Sequence, residues 1–583
     1  MNKGKKIVTI ITLLLVAAIT TQAQTKQASK GDFRLESNLP VIYISCDNYI
    51  NAEKKVDASM RLEILKGKYP KFSNYEGKIR IKLRGNSSLS FNQKKFTIDT
   101  RDENGKKKDV SLLGMPAEHD WVLLAPYVDV SMIRDPLAFK LWEEMGYWAP
   151  HCQMVEVVLN NEYQGIYVFT EKIKHDVNRM DIASLKPEDN SGREVTGGYL
   201  LRIDTYDDED ITFESKVPGI GFGLFNTKVI WTCLYPSKKD ITPEQLEYIH
   251  NYIDSTELCI QSANFNDKVN GYRKYINVSS FVDYFIHTEL TLNADAYKRS
   301  AYFYKTKQNE DGTGGKLHAG TVWDYNLAFG NCNFCGADDV NAWAFEGCNT
   351  SPTPAFWKRL LQDQSFRDNI AERYQELRKT VLSEKHIDKI IDDYAKLLST
   401  SQKRHFEKYP ELLRSKDEDK EENHSQDWFQ NGTFPWGMGF PMMGGPMQGQ
   451  ANGENNDSTK TNQATVPQGF GMPFMGFPQM GEGGFPQMPE GGFPQMGAMP
   501  FMMFPPMGEG GFPQMGEGGF PQMGEGGFPQ MGEMPMMSMP MMGMGGMNSW
   551  FTAYSVSSYE EEIKYLKNWI HERLQVMDET FGK

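Results

Sequence analysis

Between residues 33 and about 127, apolar and polar positions alternate in short runs. Val41-Ile-Tyr-Ile-Ser45 and Lys78-Ile-Arg-Ile-Lys-Leu83 have the two-residue period of half-buried strands. The period then lengthens. Asp135-Pro136 supplies an N-cap and a first helical residue, and Leu137, Leu141, Trp142 and Met145 form a helical stripe that stops at Gly146. Residues 154–159 and 165–169 read as two strands joined by the hairpin signal Asn160-Asn161-Glu162-Tyr163. The expectation for 33–170 is a small antiparallel sheet with one helix packed on it.

From about residue 171 helical periods take over. Thr242-Pro243-Glu-Gln opens one helix with good N-terminal chemistry. After Asn277, the stripe Val278, Phe281, Val282, Phe285, Ile286, Leu290 marks another, which runs directly into Asn293-Ala-Asp295. Two or three more helices are expected over 354–410. Residues 415–547 break the pattern, passing from a charged stretch into a Gly/Met/Pro/Phe tract. Phe-Pro-Gln-Met recurs there six times, several times within the unit Gly-Glu-Gly-Gly-Phe-Pro-Gln-Met. Pro and Gly at this density defeat helix and sheet, so the tract is expected to be disordered. Its Phe and Met side chains suit weak multivalent contacts. A solenoid, the rival reading of any repeat, lacks strand-forming material here. A last amphipathic helix follows, with Ile563, Leu566, Ile570 and Leu574 on one face. The tract then interrupts a helical lobe spanning 171–412 and resuming at 550–583.

The termini and charge narrow the setting. Lys3, Lys5 and Lys6 precede an apolar run, and Thr21-Gln22-Ala23 suits cleavage, so residues 1–23 read as an export leader. The apolar run is short for a membrane span, and no other run reaches that length. Loss of those three lysines takes the formal charge from −14 to −17. A chain this acidic is a poor general nucleic-acid binder. An exported product, periplasmic, surface-held or extracellular, is expected. Of seven cysteines, Cys332, Cys335 and Cys348 fall close together; a local disulfide is favoured over a zinc site that lacks a fourth ligand.

The candidate chemistry lies at two aspartates on connectors beside strand-like runs: Asp295 before Ala301-Tyr-Phe-Tyr304, and Asp324 in Trp323-Asp-Tyr-Asn-Leu-Ala-Phe-Gly330. Phosphoryl transfer from a nucleotide needs one carboxylate to orient a hydroxyl and another to hold a metal ion. Aspartates beside strands also cap turns, which is the plainer reading. Arg84-Gly85-Asn86-Ser87-Ser88 exposes amides and a cation that suit an anionic oxygen, or is an ordinary turn. Strand parity groups Lys94 with Phe96 and Ile98 and sends Lys95 with Thr97 and Asp99 toward solvent, selecting Lys94 as the inward, phosphate-facing lysine. Glu171 closes the hairpin where a hinge would meet a nucleotide base, or forms a surface salt bridge. Arg134 reaches a phosphate or pairs with Asp135 or Glu143. Ser300 stands five residues after Asp295, where protein kinases carry a metal-binding Asn. Asn326 and Asn331 are the candidate substitutes for that amide.

At these residues the chain resembles the CotH family of secreted, spore-coat-type bacterial protein kinases. The resemblance rests on R-G-N-S-S at 84–88, the Lys94 strand, Tyr127-Val-Asp129 through Arg134, and L-N-N-E-Y-Q-G-I-Y-V-F-T-E at 159–171. It continues with G-G-Y-L-L-R-I-D at 197–204, N-A-D at 293–295, W-D-Y-N-L-A-F-G-N at 323–331, and the segment 566–573. The resemblance implies an α+β, atypical bilobal kinase-like fold that binds ATP and Mg²⁺ and phosphorylates Ser or Thr of an exported protein. It implies Asp295 as base, Asp324 with Asn326 at the metal, and Arg84, Lys94 and Glu171 toward the nucleotide. A catalytically inactive relative that assembles on a surface, and a metal-dependent phosphodiesterase or glycan-processing enzyme, are the competing readings.

Overall fold

The structure, a computed structural model, describes residues 34–65, 68–207, 209–221, 228–348, 350–413 and 554–582. The leader reading and the repeat tract lie outside these residues. Strands β1 (Val41–Ser45), β2 (Val56–Glu63), β3 (Tyr75–Arg84), β4 (Lys95–Arg101), β5 (Asp120–Leu124), β6 (Cys152–Leu159) and β7 (Glu162–Glu171) close into a barrel in the order β1-β2-β3-β4-β5-β7-β6. All neighbours are antiparallel except β1 and β6, whose parallel pairing seals it. The expected small antiparallel sheet is therefore corrected to a closed seven-stranded barrel with one parallel pair.

Alternation explains the barrel interior. Ile42 and Ile44, Met60 and Leu62, Ile79 and Ile81, Phe96 and Ile98, Trp121 and Leu123, and Tyr167 and Phe169 all point into one core. Each such burial stabilises by about 1.5–3 kcal/mol. The opposite face of β5 and β7, with Val122, Leu124, Ile166 and Val168, is buried in a second core shared with the helices. These two strands are therefore apolar on both faces. The 160–163 hairpin is as expected, with Asn160 and Asn161 at φ 51° and 65°.

Helix α1 (Arg134–Glu144) interrupts the barrel between β5 and β6. It begins two residues earlier than expected: Ile133 is the N-cap, and Asp135 lies in the first turn. Beyond the barrel the chain is not purely helical. Strands β8 (Tyr199–Ile203), β9 (Ile211–Glu214), β10 (Ile230–Tyr235), β11 (Ala301–Lys305) and β12 (Leu317–Ala319) form a sheet in the order β12-β11-β8-β10-β9. Helix α2 (Pro243–Gln261) carries the expected capping box at Thr242, and α3 (Val278–Thr291) is capped by Asn277. Helices α4 (Phe356–Leu360), α5 (Gln364–Arg378), α6 (Glu384–Leu398) and α7 (Ser401–Lys408) follow, and α8 (Tyr559–Phe581) packs against α3, α5 and α6. The α+β class holds, with a barrel and a second sheet in place of two simple lobes. No described helix is long and apolar enough to cross a membrane.

Cys335 is bonded to Cys348, which accords with the local disulfide and removes two thiols from the zinc reading. Cys332 is a buried free thiol.

Candidate active site

Two cations leave the barrel at the end of the β3–β4 hairpin. Arg84 and Lys95 are cross-strand partners, so their side chains share a face. The Arg84 guanidinium lies 5.1 Å from the ring centroid of Trp323, and Lys95 Nζ lies 3.7 Å from Asp324 Oδ1. The turn between them reaches across as well: Asn86 Nδ2 donates to Thr205 Oγ1 at 2.7 Å.

The second sheet supplies the acids. Ile203 on β8 pairs with Ala301 on β11, and continuing that register brings Asp204 beside Ser300. Ser300 Oγ lies 3.3 Å from Asp204 Oδ2 and 3.2 Å from Asp324 Oδ2, so it bridges the two carboxylates. Asp295 arrives from α3, whose C-cap Leu292 is left-handed. Asn293 ties the two loops, donating from Nδ2 to the Asp324 carbonyl at 3.0 Å and accepting from the Asp295 N–H at 3.3 Å. Ser300 and Asp324 sit at φ 47° and 57°, with Tyr297 and Phe329 also positive nearby. Such strain in non-glycine residues costs of order 1–3 kcal/mol each and persists where the surroundings enforce it.

Negative charge is concentrated here. Burial pushes the Asp295 carboxyl up; Lys298, Arg299 and Lys95 oppose the rise, and Asp324 adds to it. Asp204 is also raised, first by burial and then by Asp324 and Asp295, against Arg202 and the Thr205 amide. Asp135, fully buried at the start of α1, accepts from the Tyr325 N–H at 2.5 Å and is pushed up to about 7 by burial and by Asp324.

Several expected residues take other places. The lysine that meets Asp324 is Lys95. Lys94 donates to the Leu89 carbonyl at 2.7 Å. Parity was right about the faces, but "inward" on β4 means the sealed barrel core, and on the other face Thr97 and Asp99 are buried and Lys95 half-buried rather than solvated. Glu171 is fully buried, accepting from the His151 N–H at 3.0 Å and lying 2.8 Å from its Nδ1, with Arg179 Nε 3.8 Å from the other oxygen. It buttresses Arg179 from the end of β7. Asn326 sits half-buried in the loop after Asp324, its carbonyl accepting from Asn331. Asn331 is fully buried; its Nδ2 donates to the Val128 and Asn326 carbonyls, while its Oδ1, the atom that would ligate a metal, is buried with no hydrogen-bond partner. Arg134 is fully buried between Asp129 and Glu562, and reaches neither a surface phosphate nor Glu143. The reading missed Lys95, Asp204 and Asp135. Asp204 closes the segment G-G-Y-L-L-R-I-D at 197–204, and only strand pairing reveals its neighbour.

A cavity of about 190 Å³ is lined by Trp142, Tyr147, Trp148, Arg179, Tyr304 and Thr321 among others. The Nε1 atoms of Trp142 and Trp148 are buried with no hydrogen-bond partner. Tyr302 and Tyr304 share a face of β11, about 7 Å apart. Tyr304 lines the cavity, while Tyr302 feels the charges of Arg202, Asp204, Arg84 and Asp324. One strand face thus links cavity and acids.

The donor set fits a hard divalent cation. Asp204, Asp324 and Ser300 offer only oxygen, and their excess negative charge is what such an ion neutralises. They do not close into a full protein cage. Among the described residues the Asp/Glu/His/Cys cluster that packs that tightly is Asp109, Glu118 and His119, of which Glu118 pairs with Lys174. An open set is what Mg²⁺ takes when phosphates complete its shell.

Cations at the end of a hairpin thus face acids from loops of the second sheet. The chain belongs to the CotH kinase protein family, whose model matches residues 81–432. A comparison with curated proteins gives no match.

Proposed function

We propose that this protein transfers the γ-phosphoryl group of ATP to Ser or Thr hydroxyls of an exported protein. The observation that carries the reading is the convergence of Lys95, Asp324, Ser300 and Asp204 beside Asp295. Arg84 and Lys95 meet the phosphates. Asp324 and Asp204, with Ser300, would hold Mg²⁺, which would supply neutralisation of charge on the phosphate oxygens. The cavity at Trp142, Trp148 and Tyr304 seats the base; its volume suits one ring system rather than a whole nucleotide, and its unpartnered indole N–H groups suit the ring-nitrogen acceptors of adenine.

In the step itself the acceptor oxygen bonds to the γ-phosphorus, the bond to the β,γ-bridging oxygen breaks, and ADP leaves. The hydroxyl proton passes to Asp295. The raised affinity of that carboxyl for a proton favours accepting it. Catalysis is then placement and charge neutralisation. The leader-like N-terminus directs the choice of acceptor to exported, Ser/Thr-rich proteins, and residues 415–547 offer such partners multivalent contact.

Incubation with labelled ATP, Mg²⁺ and a Ser-rich acceptor tests the reading. Wild type should incorporate phosphate, while Asp295→Ala and Asp324→Ala, still folded, should lose at least a hundredfold. Equal incorporation by the variants overturns the site. Mg-ATP binding without transfer by wild type leaves an inactive, assembly-type relative as the better reading.

A further inference from the structure

The matched family region, 81–432, contains every acid of the site but not α8. Helix α8 nevertheless touches both acid-bearing loops. On the Asp324 side, Tyr565 OH donates to the Gly330 carbonyl at 3.0 Å, and a Cβ at Gly330 would run into the Trp569 indole. Glu562 works one step removed. Its carboxylate pairs with Arg134 at 2.6 Å and accepts from Tyr554 OH at 2.7 Å. Arg134 in turn donates to the Ala328 carbonyl at 3.0 Å and the Phe329 carbonyl at 3.4 Å. Three successive carbonyls of the loop following Asp324 are therefore held through α8, around Phe329 at φ 52°.

On the Asp295 side, Arg573 donates to the Glu289 carbonyl at 2.9 Å, near the end of α3. The Glu289 carboxylate accepts from Tyr297 OH at 2.9 Å, two residues past Asp295. Arg573 also holds the Val340 and Ala342 carbonyls at 2.6 and 2.7 Å. Arg134, Glu562 and Arg573 are all fully buried, so their partners are fixed and withdrawing one leaves an uncompensated charge.

We infer that α8 is a positioning clamp that fixes the Asp324 and Asp295 loops relative to each other, with Tyr565, Glu562 and Arg573 as its positioning residues. The spacing of the two carboxylates is set by an element that lies beyond residues 81–432. The inference rests on the phosphoryl-transfer reading for its functional consequence, though not for its geometry.

Tyr565→Phe is the sharpest probe, since it removes one hydroxyl and leaves the ring stacked on Tyr554. Two measurements on the full chain decide the matter. Hydrogen exchange at 324–331 needs no ligand and should quicken about three- to tenfold, as expected for one lost hydrogen bond. Mg²⁺ titrated in the presence of a non-hydrolysable ATP analogue should bind about three- to tenfold more weakly, while the analogue's Mg²⁺-free affinity and the unliganded Tm stay near wild type. Unchanged exchange overturns the clamp. Quickened exchange with unchanged Mg²⁺ affinity, when Asp324→Asn does weaken it, overturns its link to the metal. If Asp324→Asn also leaves Mg²⁺ affinity unchanged, the phosphate-site reading fails, and the clamp's functional role fails with it, leaving only the exchange result.

Discussion

His405 should make the joint between barrel and helices acid-labile by a calculable amount. Its ring lies fully buried on α7, with Nδ1 accepting from the Ile166 N–H at 3.1 Å. The approach depends on Gly165, at φ 101° beside the β6–β7 register shift, where a Cβ would sit 2.9 Å from that nitrogen. Protonation would set an N–H against the Ile166 N–H, and burial pushes the imidazole down to about 3. The folded pKa lies below the unfolded value of about 6.5, so this stabilisation is fully present above pH 6.5 and is lost as pH falls toward 3. At pH 4.5, two units below the unfolded value, the loss is about 2.7 kcal/mol. His287, pushed down to about 4, moves stability the same way, while Asp135 and Glu257, each pushed up to about 7, move it oppositely. The wild-type slope alone is therefore ambiguous, and the difference from His405→Gln is not. The amide oxygen can still accept from Ile166 but does not titrate. Urea denaturation should find the variant about 1–2 kcal/mol less stable at pH 7.5 and about 1 kcal/mol more stable at pH 4.5. A gap that does not change with pH refutes the reasoning.

The two neighbouring lysines should separate cleanly. Lys95→Met should weaken binding of an ATP analogue about tenfold or more in calorimetry, whereas Lys94→Met, which loses only the Leu89 carbonyl, should bind as wild type. The disulfide closes a loop of sequence separation 13, so Cys335→Ser with Cys348→Ser should lower stability by about 2–3 kcal/mol in denaturant titration, and wild type in reductant should match it.

How far the fold could be read in advance depended on the range of the interaction that decides each element. The hairpin at Asn160, the caps at Thr242 and Asn277, and the stripes of α3 and α8 were legible because each is settled within a few residues. Closure of the barrel was not, since it depends on β1 meeting β6 more than a hundred residues away. The same distinction explains the site. Asp295 and Asp324 announce themselves as acids on connectors, but Asp204 becomes a neighbour of Ser300 only through the β8–β11 register. The exchange of Lys94 for Lys95 has the same origin. Parity says which side chains share a face, and it cannot say that both faces of β4 are buried, one in the barrel and one toward Asp324. Arg134 and Glu562 lie 428 residues apart. Each alone is an ordinary charged residue near a helix start; buried together they are obligate partners, because neither ion could leave water without the other. The chemistry of the site was therefore visible in residue types, while its geometry is set by pairings that only the folded chain brings about.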